Sequence, residues 1–155
     1  MSGLRSLAVV VPLLVFSTCG GGTEPTIELS PAEASALVEV LVEEGLPLGS
    51  ETRPCSEGGE VAQHAARPRY VLNYVDCRGI SGDGVEVTIN GEVTASASDS
   101  FEALLTGVIS SWSGTVSVVV GDSTGPCAID LVRFNTRRTE GSACGAAVSL
   151  YIYPR

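Results

Sequence analysis

The chain has 155 residues, a formal net charge of −9 and 44% hydrophobic residues. This length is typical of one small domain with a hydrophobic core of its own, so we expect a single folded unit. The acidity, from 18 acidic against 9 basic side chains, argues against nucleic acid as a partner, because a polyanion binds basic surfaces.

The N-terminus has the pattern of an export signal. An uncharged, mostly apolar run over residues 7–16 follows the single basic residue Arg5. A run of about 10 residues is too short to span a bilayer, which needs about 20, but it has the length of the apolar region of a signal peptide. We therefore predict that residues 1–18 are a signal peptide.

The segment Phe16-Ser17-Thr18-Cys19-Gly20 resembles the processing site of bacterial lipoproteins. Ser17 and Cys19 fit that pattern, whereas Phe16 and Thr18 stand where Leu and Gly or Ala are usual. The resemblance implies that Cys19 becomes the first residue, carries diacylglycerol and palmitate-type chains, and anchors the protein in the cell envelope. A glycine rather than an aspartate after the cysteine implies the outer membrane. A secreted protein with an ordinary signal peptide is the alternative.

The rest of the chain divides into a tether and a domain. Residues 20–22 are all glycine, a composition typical of flexible linkers, so we assign residues 19–29 to the anchor and tether and residues 30–155 to one domain. The signal segment contains only one charged residue, Arg5, so the acidity belongs to the remainder. An acidic surface does not attract anionic lipids, and we expect the membrane contact to be made by the acyl chains.

Four cysteines remain beside Cys19, and an even number in an exported chain predicts two disulfides. Each neighbouring pair brackets a predicted hairpin, which favours pairing Cys55 with Cys77 and Cys127 with Cys144. A zinc or redox site would need a spacing such as C-x-x-C, which this sequence lacks. We predict no metal and no cofactor.

One helix is predicted ahead of the first pair of cysteines. Ser30-Pro31-Ala32-Glu33 is a capping box with proline at the first helical position, so a helix is expected over residues 31–44. Leu37, Val40 and Leu41 would face the core. The three glutamates at positions 39, 43 and 44 would face water.

The remainder has the short alternating runs of a β domain. Strands are expected over residues 61–65, 70–75, 85–97, 101–110, 116–121, 128–134 and 145–153, with turns at 111–114, 122–126 and 135–141. In residues 85–97 the alternation is strict, so we favour one long bent strand over a hairpin at Asn90-Gly91. The fold class is therefore mainly β, an antiparallel sheet of about seven strands with one N-terminal helix and two disulfides. An open sheet and a sandwich both remain possible.

The domain also resembles small β-rich envelope lipoproteins in three features. These are the strand start Cys55-Ser56-Glu57-Gly58-Gly59, a second cysteine at the end of the next strand, and the glycine-bearing strand at 85–97. The resemblance implies a β-rich fold and no particular activity.

Catalytic motifs are missing from the sequence. His64 is the only histidine, and no nucleophile motif accompanies it. We predict that the protein is not an enzyme but a binding or structural module, with an envelope protein or a glycan as partner. Trp112, Tyr151 and Tyr153 are candidates for an aromatic binding platform.

Two other functions stay open. Four acids lie near one another in sequence and would suit a carboxylate-dependent hydrolase: Asp76, Asp83, Glu86 and Glu92. Alternatively, the sheet could enclose lipid or another apolar ligand, as in a carrier.

Overall fold

The computed structural model describes residues 26–45, 51–66, 68–98 and 107–153. Within these ranges, one helix precedes eight strands that form a single antiparallel sheet in the order β1 to β8. Their bounds are α1 Pro31–Gly45, β1 Thr52–Pro54, β2 Glu60–Ala66, β3 Arg69–Ile80, β4 Glu86–Ala97, β5 Val108–Val120, β6 Ser123–Phe134, β7 Arg138–Ala143 and β8 Ala146–Tyr151. The predicted fold class is confirmed, and the sheet is a meander rather than a sandwich.

The start of α1 is fixed by the capping box. The backbone N–H of Ser30 donates to Glu33 Oε2 at 2.9 Å, and the backbone N–H of Glu33 donates to Ser30 Oγ at 3.3 Å. These reciprocal bonds satisfy two backbone donors that the first helical turn leaves without partners. Residues 46–50, which follow the helix, lie outside the described residues.

The sheet curves around α1. The helix contacts β3, β4, β5, β7 and β8, and only a curved sheet can bring strands so far apart in its order against one helix. Buried residues therefore cover most of the circumference of α1: Ala34, Ala36, Leu37, Val38, Val40, Leu41, Val42, Glu44 and Gly45. The surface of the sheet that faces α1 is called the concave face below.

The burial of Glu44 corrects the prediction that it faces water. Leu37, Val40 and Leu41 are in the core as expected, but Glu44 is only 9% exposed. A helix lying in a trough keeps a narrow polar stripe, here Ser35, Glu39 and Glu43 at four-residue spacing. Glu44 is one helical step outside that stripe, and therefore points at the sheet.

The predicted turn at residues 111–114 is wrong, because β5 runs straight through it. Trp112 is buried on the concave face, and Ser111 and Ser113 alternate to the other face. Gly114 permits a close strand contact, since a Cβ there would lie 2.6 Å from the carbonyl oxygen of Glu92. Most of the strand expected at 101–110 lies outside the described residues.

Strands β1 and β7 were not predicted from the sequence, whereas β4 was predicted correctly although Asn90-Gly91 is typical of a turn. The three-residue β1 precedes Cys55, and β7 occupies most of the segment expected to be a turn at 135–141. By contrast, β4 passes through Asn90-Gly91 without a turn. Pairing with the two neighbouring strands keeps β4 extended at this point: Gly91 lies opposite Tyr74 on β3 and opposite Val116 on β5.

The N-terminal edge of the domain begins before residue 30. The backbone N–H of Ile27 donates to the carbonyl oxygen of Pro126 at 2.9 Å, and Leu29 is buried in the core. Residues 26–29 therefore pack on the domain. The sequence-based assignment of these residues to the tether is wrong. The anchor and the rest of the tether, residues 19–25, lie outside the described part of the chain.

Candidate functional site

Both predicted disulfides are present. Cys55 bonds to Cys77 with a Cα separation of 5.5 Å, and Cys127 bonds to Cys144 with a Cα separation of 4.5 Å. All four cysteines are buried. They join neighbouring segments of the meander, so each closes a local loop and has a structural role.

A buried carboxylate lies beside the first disulfide. Glu44 Oε1 accepts a hydrogen bond from the backbone N–H of Ser56 at 3.1 Å and another from Ser56 Oγ. The ligand atoms of Glu44, Cys55 and Cys77 lie within 4.8 Å of one another. Because both sulfurs are bonded to each other, this group offers a metal one carboxylate and no thiolate.

The candidate aromatic residues are not brought together. Trp112 is 1% exposed on the concave face, whereas Tyr151 and Tyr153 are 57% and 61% exposed near the end of the last strand. A residue buried in this way cannot form part of an exposed platform. Tyr153 does take part in a surface contact, since the Arg137 guanidinium lies 5.5 Å from its ring centre.

The candidate carboxylates are spread over β3, β4 and the turn between these strands, where Asp83 lies. Asp76 lies at a β-bulge, where its backbone N–H donates to Asn90 Oδ1 at 2.7 Å. Glu86 and Glu92 lie six residues apart on β4, which separates them by roughly 20 Å. A glycosidase pair lies within about 10 Å, so these two cannot serve as one. His64 is exposed on β2, opposite Val71.

Two clefts open at the surface of the described residues. A cleft of about 140 Å³ is lined by residues that include Glu57, Arg78 and Glu86. A second, of about 280 Å³, lies between residues 28–29 and the turn at 144–146. Both are shallow and polar. The concave face, where a carrier would hold an apolar ligand, contains α1.

Polar residues of the concave face were missed in the sequence. Ser110, Arg133 and Thr139, called the concave polar cluster below, are 8%, 7% and 0% exposed. They lie on adjacent strands in direct register, with Arg133 opposite Ser110 on β5 and opposite Thr139 on β7. The signal was present: Arg133 shares the alternation phase of Cys127, Ile129 and Leu131, which are all buried.

The concave polar cluster is rich in hydrogen-bond donors. Ser110 Oγ accepts a hydrogen bond from Trp112 Nε1 at 3.0 Å. In the described part of the chain, Arg133 Nε and Thr139 Oγ1 are buried and have no hydrogen-bond partner. Burial lowers the pKa of Arg133, and the nearby Arg137 lowers it further. No anion among the described residues offsets either effect.

The buried hydroxyl of Tyr74, unlike that of Thr139, has a hydrogen-bond partner among the described residues. Tyr74 Oη donates to the carbonyl oxygen of Leu41 at 2.8 Å, and burial raises the pKa of Tyr74. It therefore remains a neutral donor that ties β3 to α1. The contrast with Arg133 shows that not every inward polar group of this sheet lacks a partner.

Comparison with known proteins found no match to this chain among protein-family models, curated proteins or solved structures. In the residues that the structure describes, no helix has both the length and the apolar composition needed to cross a bilayer.

Proposed function

We propose that this protein is an exported, lipid-anchored component of the bacterial cell envelope whose domain is a non-catalytic binding or structural module. The observation that supports this most strongly is the use of the cysteines. Four of the five form two disulfides inside the domain, and Cys19, in the segment that resembles a lipoprotein processing site, is the one left over. Disulfides are typical of exported proteins, which agrees with the signal-like N-terminus.

The finer assignments rest on the same reasoning. Gly20 after the anchor cysteine favours the outer membrane, by resemblance to known lipoproteins. The acidic composition favours attachment through acyl chains and disfavours nucleic acid as a partner. An envelope protein or glycan is then the expected class of partner.

The test is the intact mass of the protein extracted from its own membranes, with and without reduction. We expect the mass of a diacylated chain from Cys19 to Arg155, rising by about four hydrogens when two disulfides are reduced. A Cys19→Ala variant is the control and is expected in the soluble fraction without lipid. An unlipidated wild-type mass would contradict the anchor, and a mass unchanged by reduction would contradict the disulfides.

The binding role has its own test. Wild-type protein is solubilised from envelopes in mild detergent, and Cys19→Ala from the soluble fraction is mixed with a detergent extract of envelopes. Each form is captured through an affinity tag, and bound proteins and glycans are identified. We expect a partner that is retained by wild type and by Cys19→Ala, because the domain rather than the lipid would recognise it. Capture of no protein or glycan by either form would argue against a binding module.

A further inference from the structure

The concave polar cluster has the properties of a site for an anion. Arg133 is a cation that is more than nine-tenths buried, in a sheet whose other buried side chains are mostly apolar. In the described part of the chain its guanidinium Nε is buried and has no hydrogen-bond partner. An unpaired buried charge is strongly unfavourable, so proteins normally neutralise it with a counter-ion.

Three donors lie together at this point. Ser110 and Thr139 are the direct neighbours of Arg133 on the two adjacent strands, which places their Cβ atoms about 5 Å from that of Arg133. Thr139 Oγ1 has no hydrogen-bond partner among the described residues. Ser110 Oγ accepts from Trp112 Nε1, which leaves its own O–H free to donate. The cluster therefore places two hydroxyls and one guanidinium side by side on the concave face, and none of the three side chains carries a negative charge.

The acidic side chains near Arg133 in the described residues do not supply an anion to it. Asp130, three residues before Arg133 on β6, lies on the opposite face of the sheet. Glu140 is next to Thr139 on β7 and therefore also lies on that opposite face. It pairs there with Arg138, with 3.3 Å between Arg138 Nε and Glu140 Oε1. Arg137 adds a second positive charge close enough to lower the pKa of Arg133. Two arginines, the buried Arg133 and the exposed Arg137, thus lie near each other in an otherwise acidic protein.

The C-terminus of α1 does not supply the missing negative charge to Arg133 either. Trp112 lies between that helix end and the cluster. A Cβ on Gly45 would lie 2.7 Å from Trp112 Cη2, and the Nε1 of the same indole contacts Ser110. The last turn of the helix is therefore separated from Arg133 by the width of the indole ring.

We propose that Ser110, Arg133 and Thr139 bind the oxyanion group, a carboxylate or a phosphate, of a small ligand. The Arg133 guanidinium would make the charged hydrogen bond, the two hydroxyls would donate to the remaining oxygens, and Arg137 would attract the ligand electrostatically. The proposal deepens the binding role suggested above by naming a ligand chemistry. It does not depend on the lipid anchor.

The test uses the purified full-length chain and two probes, inorganic phosphate and acetate, each titrated against sodium chloride at equal ionic strength. Thermal unfolding and isothermal titration calorimetry measure binding. We expect a saturable rise in Tm with at least one probe, because a ligand that binds only the folded state stabilises it. Response to phosphate alone would indicate a phosphate-bearing ligand, and response to acetate would indicate a carboxylate.

Variants decide whether the cluster is responsible. Arg133→Met is expected to weaken probe binding about tenfold or more, since it removes a charged hydrogen-bond donor, and to leave Tm in chloride equal or higher. Thr139→Val is expected to weaken binding by a smaller factor. The matched control is Arg78→Met, which removes an exposed arginine on β3 and is expected to keep wild-type affinity.

Three results would overturn the proposal. The first is the lack of a saturable, anion-specific effect with either probe. The second is unchanged probe binding in Arg133→Met. The third is a lower Tm of Arg133→Met in chloride, because it would show that the chain itself supplies a counter-ion for this arginine. A failed titration with a lipidated intact mass would reject this site and leave the proposed anchor standing.

Discussion

Single residues at turns and helix caps determine much of the local structure of this chain. Ser30 and Glu33 fix where α1 begins, and Gly59 fixes how the segment after Cys55 meets β3. Gly59 has φ of +74°, and a Cβ there would lie 1.9 Å from the carbonyl oxygen of Asp76. Each of these residues acts through a contact that can be removed by one substitution and compared with a nearby control.

The capping box is expected to be worth a measurable amount of stability. Replacing Ser30 with alanine removes the acceptor for the backbone N–H of Glu33 and should cost about 1 kcal/mol of unfolding free energy. Chemical denaturation measures this. Ser35→Ala in the same helix is the control, because Ser35 bonds only to Pro31 within the helix among the described contacts. An equal loss in both variants would contradict a specific role for the cap.

The cap also predicts a pH dependence. The Ser30 hydroxyl and backbone N–H lower the pKa of Glu33, so the folded state favours the ionised carboxylate. This contribution is fully present above the unfolded-state pKa of about 4.3 and is lost as the pH falls through the lower, folded-state value. The stability difference between wild type and Glu33→Gln should therefore be largest near neutral pH and shrink in acid. A difference that stays constant across this range would contradict the assignment.

Two glycines with similar backbone conformations provide a matched pair. Gly84 has φ of +81° with no atom within 4 Å of the position that a Cβ would occupy, whereas a Cβ on Gly59 would meet the Asp76 backbone. Gly84→Ala is expected to cost about 1–2 kcal/mol for the left-handed backbone alone. Gly59→Ala is expected to cost clearly more, since the backbone of β3 must also move. Equal unfolding free energies for the two variants would show that the close contact is relieved at little cost.

At the scale of elements, the central feature is the packing of one helix inside a curved meander. Antiparallel strands joined in order need only short connections, and the disulfides close two of these local loops, 22 and 17 residues apart. In the chain-entropy description, each contributes on the order of 3 kcal/mol. The N-terminal residues 26–29 add a further contact, because they run along the start of β6.

That contact predicts that the folded domain begins before the helix. Leu29 is 6% exposed in the core, so Leu29→Ala should lower the unfolding free energy by about 2–5 kcal/mol. The neighbouring Glu28 is exposed, and Glu28→Ala should change it by less than about 0.5 kcal/mol. Unfolding monitored by circular dichroism compares the two. If Leu29→Ala were as neutral as Glu28→Ala, residues 26–29 would belong to the tether after all.

At the scale of the whole molecule, electrostatics oppose folding more than they support it. The net charge is −9, and the ion pair between Arg138 and Glu140 joins two partly exposed side chains. Such a surface pair contributes little to the free energy of folding, about 0–1 kcal/mol. Repulsion among the acidic groups is therefore the larger effect in the compact state.

This balance predicts stabilisation by salt. Raising sodium chloride from about 0.01 M to 0.15 M shortens the screening length from about 30 Å to 8 Å, so Tm is expected to rise. Chloride is the appropriate anion, because phosphate and acetate are the probes for the proposed site. Sucrose at matched water activity controls for general solvent effects. A Tm that falls as chloride is added would mean that attractive charge pairs dominate.

The sequence by itself determined the features that depend on neighbours along the chain. The start of α1 follows from one capping box, the strict alternation of residues 85–97 predicts β4, and each disulfide joins cysteines on either side of a local hairpin. It also supplied the class of the fold, since alternating runs separated by turn residues are typical of antiparallel sheets. The lipid anchor and the envelope location are also read from the sequence, and they stay predictions.

Only the tertiary structure decided which polar side chains meet on the concave face. The curvature of the sheet buries Glu44, and the register of β5 carries Trp112 inward through a segment whose local sequence predicts a turn. The same register places Arg133 between Ser110 and Thr139. Curvature and register arise from contacts between residues far apart in sequence, so no local pattern could show which polar side chains the sheet would bring together. The candidate anion site is a consequence of that nonlocal pairing.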